Sequence, residues 1–133
     1  MALVSITRLR IRSLRFIPAF FYYALLSTRQ VRRAPGNISA DFLNDANWTF
    51  WTCTLWKDES AMRAFMMSSS HRSAMPKLIH WCDEAAIVHW TQESESRPDW
   101  FEAWRRMSSE GRPSKLNHPS TDHMVFRLAP PKS

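Results

Sequence analysis

The residues best placed to do chemistry lie in the stretch SSSHRSAMPKLIHWCDE, residues 68–84. If its second half is a helix, His71, Met75, Leu78 and Cys82 share one narrow stripe, because offsets of four, seven and eleven return to the same face. Arg72, Lys77, His80 and Asp83 fall on the other side. A histidine on an apolar face can ligate a metal or haem iron, serve as a general base in its neutral form, or sit in the core with its ring satisfied by a backbone carbonyl. His89 alternates with Ile87 in EAAIVHWTQ and could reach the same pocket. Met62, Met66, Met67 and Met75 could form a plastic ligand wall or simply fill space.

Other chemistries are excluded or weak. With only Gly36 and Gly111, the chain can build neither a phosphate-cradling loop nor a dinucleotide fingerprint, and it holds no nucleophile-elbow motif. Hydrolases of those types and nucleotide-dependent enzymes are ruled out. His118 and His123, with Asp122 beside the second, have a spacing that suits no standard metal site. Cys53 and Cys82 form no CxxC pair, so neither a disulfide framework nor a structural zinc site is indicated, and cytoplasmic thiols are the plain expectation. Asp58 and Glu59 sit where acids offset a helix dipole.

The elements that must position these residues follow from periodicity. Residues 2–11 read as a strand, and residues 14–30 as a helix that Pro35 and Gly36 stop. A short strand near 37–43, the turn NDAN and the strand NWTFWTCTLW at 47–56 form a hairpin. Asp58 caps a helix whose buried face includes Ala61, Ala64, Phe65 and Met66, and a break around 68–70 separates it from a second helical piece containing Pro76. A fourth strand covers 84–92. Ser96, Pro98 and Asp99 begin a helix carrying Trp100, Phe101, Trp104 and Met107, which ends near Gly111. From 111 to 133 the chain reads as an extended tail outside a domain of residues 1–110.

This order, βαββαβ, is the ferredoxin-like α+β arrangement, an antiparallel sheet with its helices on one face. It leaves the other sheet face bare, and the expected remedy is a homodimer in which two sheets meet.

The charge is lopsided. Seven arginines, from Arg8 to Arg33, precede the first acidic residue, Asp41, within a net charge of +6. Such a field suits nucleic acid, an anionic membrane surface or an acidic ligand. No nucleic-acid-binding motif accompanies it, and a solvated arginine-rich face is the simpler account. FIPAFFYYALL, residues 16–26, follows basic residues as a signal-peptide core would, yet STRQVRR comes after it instead of small residues. It is also far short of the roughly 20 residues needed to span a bilayer. Phe16, Ile17, Phe20, Phe21, Ala24, Leu25 and Thr28 recur as on a broad buried helix face. A core helix is expected, with an interfacial anchor as the alternative. A peripheral membrane role would require the arginines and exposed Phe or Tyr to share one face.

The stretch FWTCTLWKDESAMRAFMMSSSHRSAMPKLIHWCDEAAIVHW resembles the dimeric α/β-barrel superfamily, and within it antibiotic biosynthesis monooxygenase-like and spheroidene monooxygenase-like proteins. The carriers are an aromatic strand ending in Leu-Trp, an acidic helix start with Ala-Met-Arg-Ala-Phe, and a small-residue break followed by His. The resemblance implies a pocket between helices and sheet that takes a hydrophobic, polycyclic or isoprenoid ligand, or haem. It implies His71 as catalytic residue or haem ligand, Trp51 and Trp56 on the sheet side, and Arg72 against a propionate or other anion; Phe65, Met75 and His89 are further candidate ligand-binding residues from the pattern of the chain. Relatives that degrade haem carry an asparagine on the first strand. Residues 2–11 contain none, so the resemblance does not extend to haem degradation. A non-catalytic binding or interaction protein of the same fold is the alternative function.

Overall fold

A computed structural model describes residues 1–132, the side chains of residues 69–71 excepted. Strand β1 (Ala2–Ile11) is followed by a 3-10 turn and helix α1 (Ile17–Arg33), the hairpin β2 (Asn37–Asp45) and β3 (Thr49–Trp56), helices α2 (Glu59–Met66) and α3 (Ser69–Trp81), and strand β4 (Cys82–Gln92). Helix α4 (Trp100–Glu110), a two-residue strand β5 (Arg112–Pro113) and a short helix α5 (Thr121–Met124) complete the chain. The sheet is antiparallel throughout, in the order β2-β3-β1-β4-β5, so β1 lies at its centre. The ferredoxin-like core and the additional C-terminal helix expected from the sequence are both present.

Because side chains alternate across a strand, β1 sends Val4, Ile6 and Arg8 to one face and Leu3, Ser5, Thr7 and Leu9 to the other. The second set meets α1, α2 and α3 through Leu3 and Leu9. The first set is the face expected to be bare, and here the structure corrects the sequence. Val4, Ile6, Trp51, Cys53, Leu55, Ala86, Val88 and Trp90 are buried under Ala103 and Met107 of α4 and Leu128 of the tail, with Trp100, Trp104 and Phe126 packed around them. One chain therefore supplies the cover that was assigned to a second copy, and the reason for pairing two sheets is met internally.

The tail is thereby part of the domain. Ser114 N–H bonds the Ala85 carbonyl at 2.9 Å as β5 joins the sheet edge, and Trp104 Nε1–H donates to the Leu128 carbonyl at 2.8 Å. His123, buried, accepts the Ala85 N–H at Nδ1, so its Nε2 carries the proton and donates to the Ser114 carbonyl at 2.9 Å. That ring staples the tail to β4.

Local chemistry accounts for the remaining boundaries. Asp58 caps α2 by accepting the Ala61 N–H at 2.8 Å. In α4 the cap is Asp99, which accepts the Glu102 N–H at 2.7 Å, and not the expected Ser96. The hairpin turn is centred at the end of NDAN, on Asn47 and Trp48, whose φ angles of 59° and 57° are both left-handed. Gly36 has φ 85° after α1, and a Cβ there would stand 2.5 Å from that of Ala61, so glycine lets the chain pass α2 closely.

Candidate functional site

The helix-facing side of the sheet carries two separate apolar clusters. One gathers Ile11, Phe20 and Cys82 with Leu9, Phe50, Leu78 and Trp81; the other gathers Val31, Trp56 and Met62 with Leu3 and Phe65. Between them the floor is polar. Ser5 stands directly across from Thr54 on β3 and from His89 on β4, and Thr7 stands across from Thr52 and Ile87. Directly opposed residues of an antiparallel sheet have Cβ atoms about 4.5–5.5 Å apart. Four hydroxyls and one imidazole therefore form a contiguous patch at the centre of the sheet, beneath the helices. All but Thr54 are only partly buried, so the patch is not a sealed core.

The hydrogen bonds sort this patch into fixed and free groups. Trp56 Nε1–H donates to Thr54 Oγ1 at 2.9 Å, which satisfies a buried indole and locks one hydroxyl. The Thr54 hydroxyl in turn points at the Ser5 carbonyl at 3.5 Å. Among the described residues the His89 ring makes no hydrogen bond. Burial lowers its pKa below the ordinary value; Arg112 and Arg63 add to the effect and Glu59 opposes it. His89 is thus a half-buried imidazole whose neutral form is favoured, and a neutral imidazole can accept a proton.

The residues singled out in the sequence are not all brought together. Trp56 and Phe65 do meet, ring centroids 5.5 Å apart, on the helix side. Trp51 points the other way. Five residues from Trp56, it lies on the opposite sheet face, wholly buried, with Nε1–H on Asp45 at 3.2 Å and the Arg8 guanidinium 5.6 Å from its ring. Met75 is 43% exposed, and the buried line of α3 runs through Ala74, Leu78 and Trp81 instead. Arg72 is exposed on the outer side of α3. The His71 side chain lies outside the described residues.

Cys82 is buried and its thiol is pushed up to about 12 by desolvation, so it is inert packing; Cys53 is likewise raised to about 12. Among the described residues no group of three His, Cys, Asp or Glu side chains could hold a metal ion.

The sequence reading missed Ser5, Thr7, Thr52 and Thr54. Their signal was the alternation itself, since these positions fall on the helix side where a half-buried strand should be apolar. β-branched threonine hides that signal by fitting any strand.

The fold is the one found in antibiotic biosynthesis monooxygenase structures. One such monooxygenase superposes with a TM-score of 0.61 at 15% identity, over 69% of this chain and 99% of its own. SnoaB from Streptomyces nogalater, a cofactor-independent oxygenase solved in a mutant form, gives 0.58 at 13% over 70% and 94%. A conserved protein from Methanosarcina mazei Go1 gives 0.62 at 14% over 70% and 94%. These likenesses establish the fold. The chain belongs to the family described as a domain of unknown function, DUF3291, whose model matches residues 28–113. No curated protein matches it.

Haem, which the resemblance allows, does not fit the described residues. The sheet floor presents hydroxyls where a porphyrin face needs apolar contact. Arg72 and Met75 stand on the solvent side of α3, and Trp51 belongs to the other layer.

Proposed function

We propose that the cleft between the helices and the sheet binds a flat, largely apolar ring system bearing hydroxyl or carbonyl groups, and that the protein oxygenates it. The observation that carries this reading is the hydroxyl row with a neutral imidazole, set between two apolar clusters. Apolar walls bind the rings, and Ser5, Thr7 and Thr52 pair with the ligand's oxygens. Buried polar floor groups left without partners would cost binding energy, which favours an oxygenated polycyclic ligand over an isoprenoid.

His89 takes the proton from an acidic ring hydroxyl or the carbon beside a ring carbonyl, leaving an electron-rich anion that dioxygen can attack. Oxygenation without a cofactor is supported by SnoaB, a cofactor-independent oxygenase that shares the fold. His71, three residues before buried Ala74 in the sequence, is the second candidate base. Simple ligand binding without turnover is the alternative, and the same cleft serves it.

A panel of hydroxylated polycyclic aromatics tests both. Binding is read by quenching of tryptophan fluorescence and turnover by dioxygen consumption, for the native protein and for His89→Gln and His71→Ala. Loss of turnover by a hundredfold or more in His89→Gln, with binding kept within a few-fold, supports the oxygenase. Binding with no oxygen uptake in the native protein selects the alternative. Indifference of binding to Thr7→Val and Thr52→Val would show that the ligand does not use this floor.

A further inference from the structure

We propose that the outer face of α1 docks the protein on an anionic membrane surface. The helix buries Phe20 and Val31 and partly buries Ile17 and Ala24, all on one side. The sequence pattern placed Phe21 and Leu25 on that side as well; the structure turns Leu25 outward and leaves Phe21 at the border, exposed in part with its ring 5.6 Å from that of Phe50. At 100° per residue the opposite side collects Pro18, Phe21, Tyr22, Leu25, Arg29, Arg32 and Arg33, with Leu14 and Arg15 leading in from the preceding turn. Tyr22 is 60% exposed and Leu25 is 52% exposed, and Phe21 and Leu14 are also open to solvent. The condition set by the sequence, arginines and exposed aromatic residues on one face, is met.

The patch continues past the helix. Phe42 on edge strand β2 is exposed, with the Arg32 guanidinium 5.9 Å from its ring. On the other flank Lys77 of α3 lies 5.7 Å from the ring of Tyr23. Among the described residues no arginine of α1 makes an ion pair, and no acidic residue precedes Asp41. On the neighbouring α2, Glu59 is taken by Arg63 at 3.0 Å and Asp58 by its own helix cap.

The charge selects the occupant. In a two-fold dimer this patch would face itself, bringing Arg29, Arg32 and Arg33 toward their own copies without acids to separate them. An anionic bilayer instead complements every one of these charges. Phe21, Tyr22 and Leu25 enter the headgroup boundary while the arginines stay at lipid phosphates and carboxylates. No described helix is long and apolar enough to cross a membrane, so α1 lies along the surface. The docking does not depend on what the protein binds between its helices and sheet.

Co-sedimentation of the full chain with vesicles tests this, using phosphatidylcholine alone and phosphatidylcholine mixed with phosphatidylserine. The protein should pellet with the mixed vesicles and stay in solution with the neutral ones. Arg29→Gln with Arg32→Gln should weaken partitioning about fivefold for each charge removed. Tyr22→Ser with Leu25→Ser should weaken it at least as much, and both pairs are exposed, so circular dichroism should be unchanged. The proposal fails if the native chain ignores mixed vesicles, binds neutral ones equally, or loses nothing in the Tyr22→Ser, Leu25→Ser variant. It also fails if the native chain has twice its 15.6 kDa mass in solution and that variant reverts to one chain, because the face would then belong to a second copy.

Discussion

Glu84 and His89 are titratable groups on β4 that face opposite layers, and each gives a pH-dependent test. Glu84, 4% exposed at its side chain, accepts Arg8 at 2.6 Å and Arg10 at 2.9 Å, and the Ser120 hydroxyl at 3.2 Å. Burial alone would raise its pKa, but the two guanidiniums more than offset that and hold it below its ordinary 4.5. A depressed carboxylate contributes stability above its unfolded value and loses it as pH falls through the folded one. Urea midpoints should therefore decline below about pH 4.5. In Glu84→Gln the buried Arg8 loses its counter-charge while its Nε already lacks a partner, so a cost of about 3–5 kcal/mol is expected at neutral pH. A urea titration in which Glu84→Gln costs under about 1 kcal/mol would show that the pair carries no net stability. For His89 the sign is the same, in a higher pH window. Its lowered pKa means the folded state resists protonation, so this group's contribution falls as pH drops below the ordinary imidazole value. Its ring resonances should titrate below the ordinary imidazole value in an NMR series, and a midpoint at or above that value would remove the case for a neutral base at this site.

At the scale of elements, the hairpin shows a local rule broken. A two-residue turn with both φ angles positive favours Asn-Gly, and this chain has Asn47-Trp48 with the indole 49% exposed. Trp48→Gly should stabilise the fold by about 0.5–1 kcal/mol, since a side chain in the left-handed region is relieved and little packing is lost. A drop in thermal midpoint would mean that the exposed indole contributes contacts worth more than the strain. The same turn shows what the sequence could reveal. Period-2 alternation and Asp58 as a cap made the core element order legible, because those signals are local. The turn was displaced by two residues because tryptophan reads as a strand residue. Trp51 and Trp56 were assigned to one pocket, although their spacing of five already puts them on opposite sheet faces. Met75 was placed in the buried stripe where Ala74 proved to lie, since an apolar type marks a face less reliably than a packed neighbour does. The tail could not be read at all. It has no period, and its place is fixed by tertiary bonds such as Trp104 to Leu128 and His123 to Ala85.

At the scale of the whole molecule, the chain is a sheet packed on both sides, and that makes a prediction about its association. Nearly all of each matched oxygenase-like structure is spanned by about seven-tenths of this chain, and the unmatched share is as long as the segment after β4. That segment provides the cover over Val4, Ile6, Trp51 and Val88. Each fully buried large apolar side chain contributes about 1.5–3 kcal/mol, so Met107, Leu128 and the rings of Trp104 and Phe126 together hold the cover by several kcal/mol. A partner sheet would have to displace this cover before pairing. Light scattering on the intact chain should therefore give 15.6 kDa, and Met107→Asp with Leu128→Asp, which sets two charges against the apolar sheet, should shift it to higher mass or precipitation. An intact chain of twice that mass, unchanged by the double substitution, would place the contact on another face. The tail would then cover the sheet without controlling assembly. If the expected masses are found, the C-terminal segment takes the place a second subunit fills in a dimeric barrel, and the central cleft is complete in one chain.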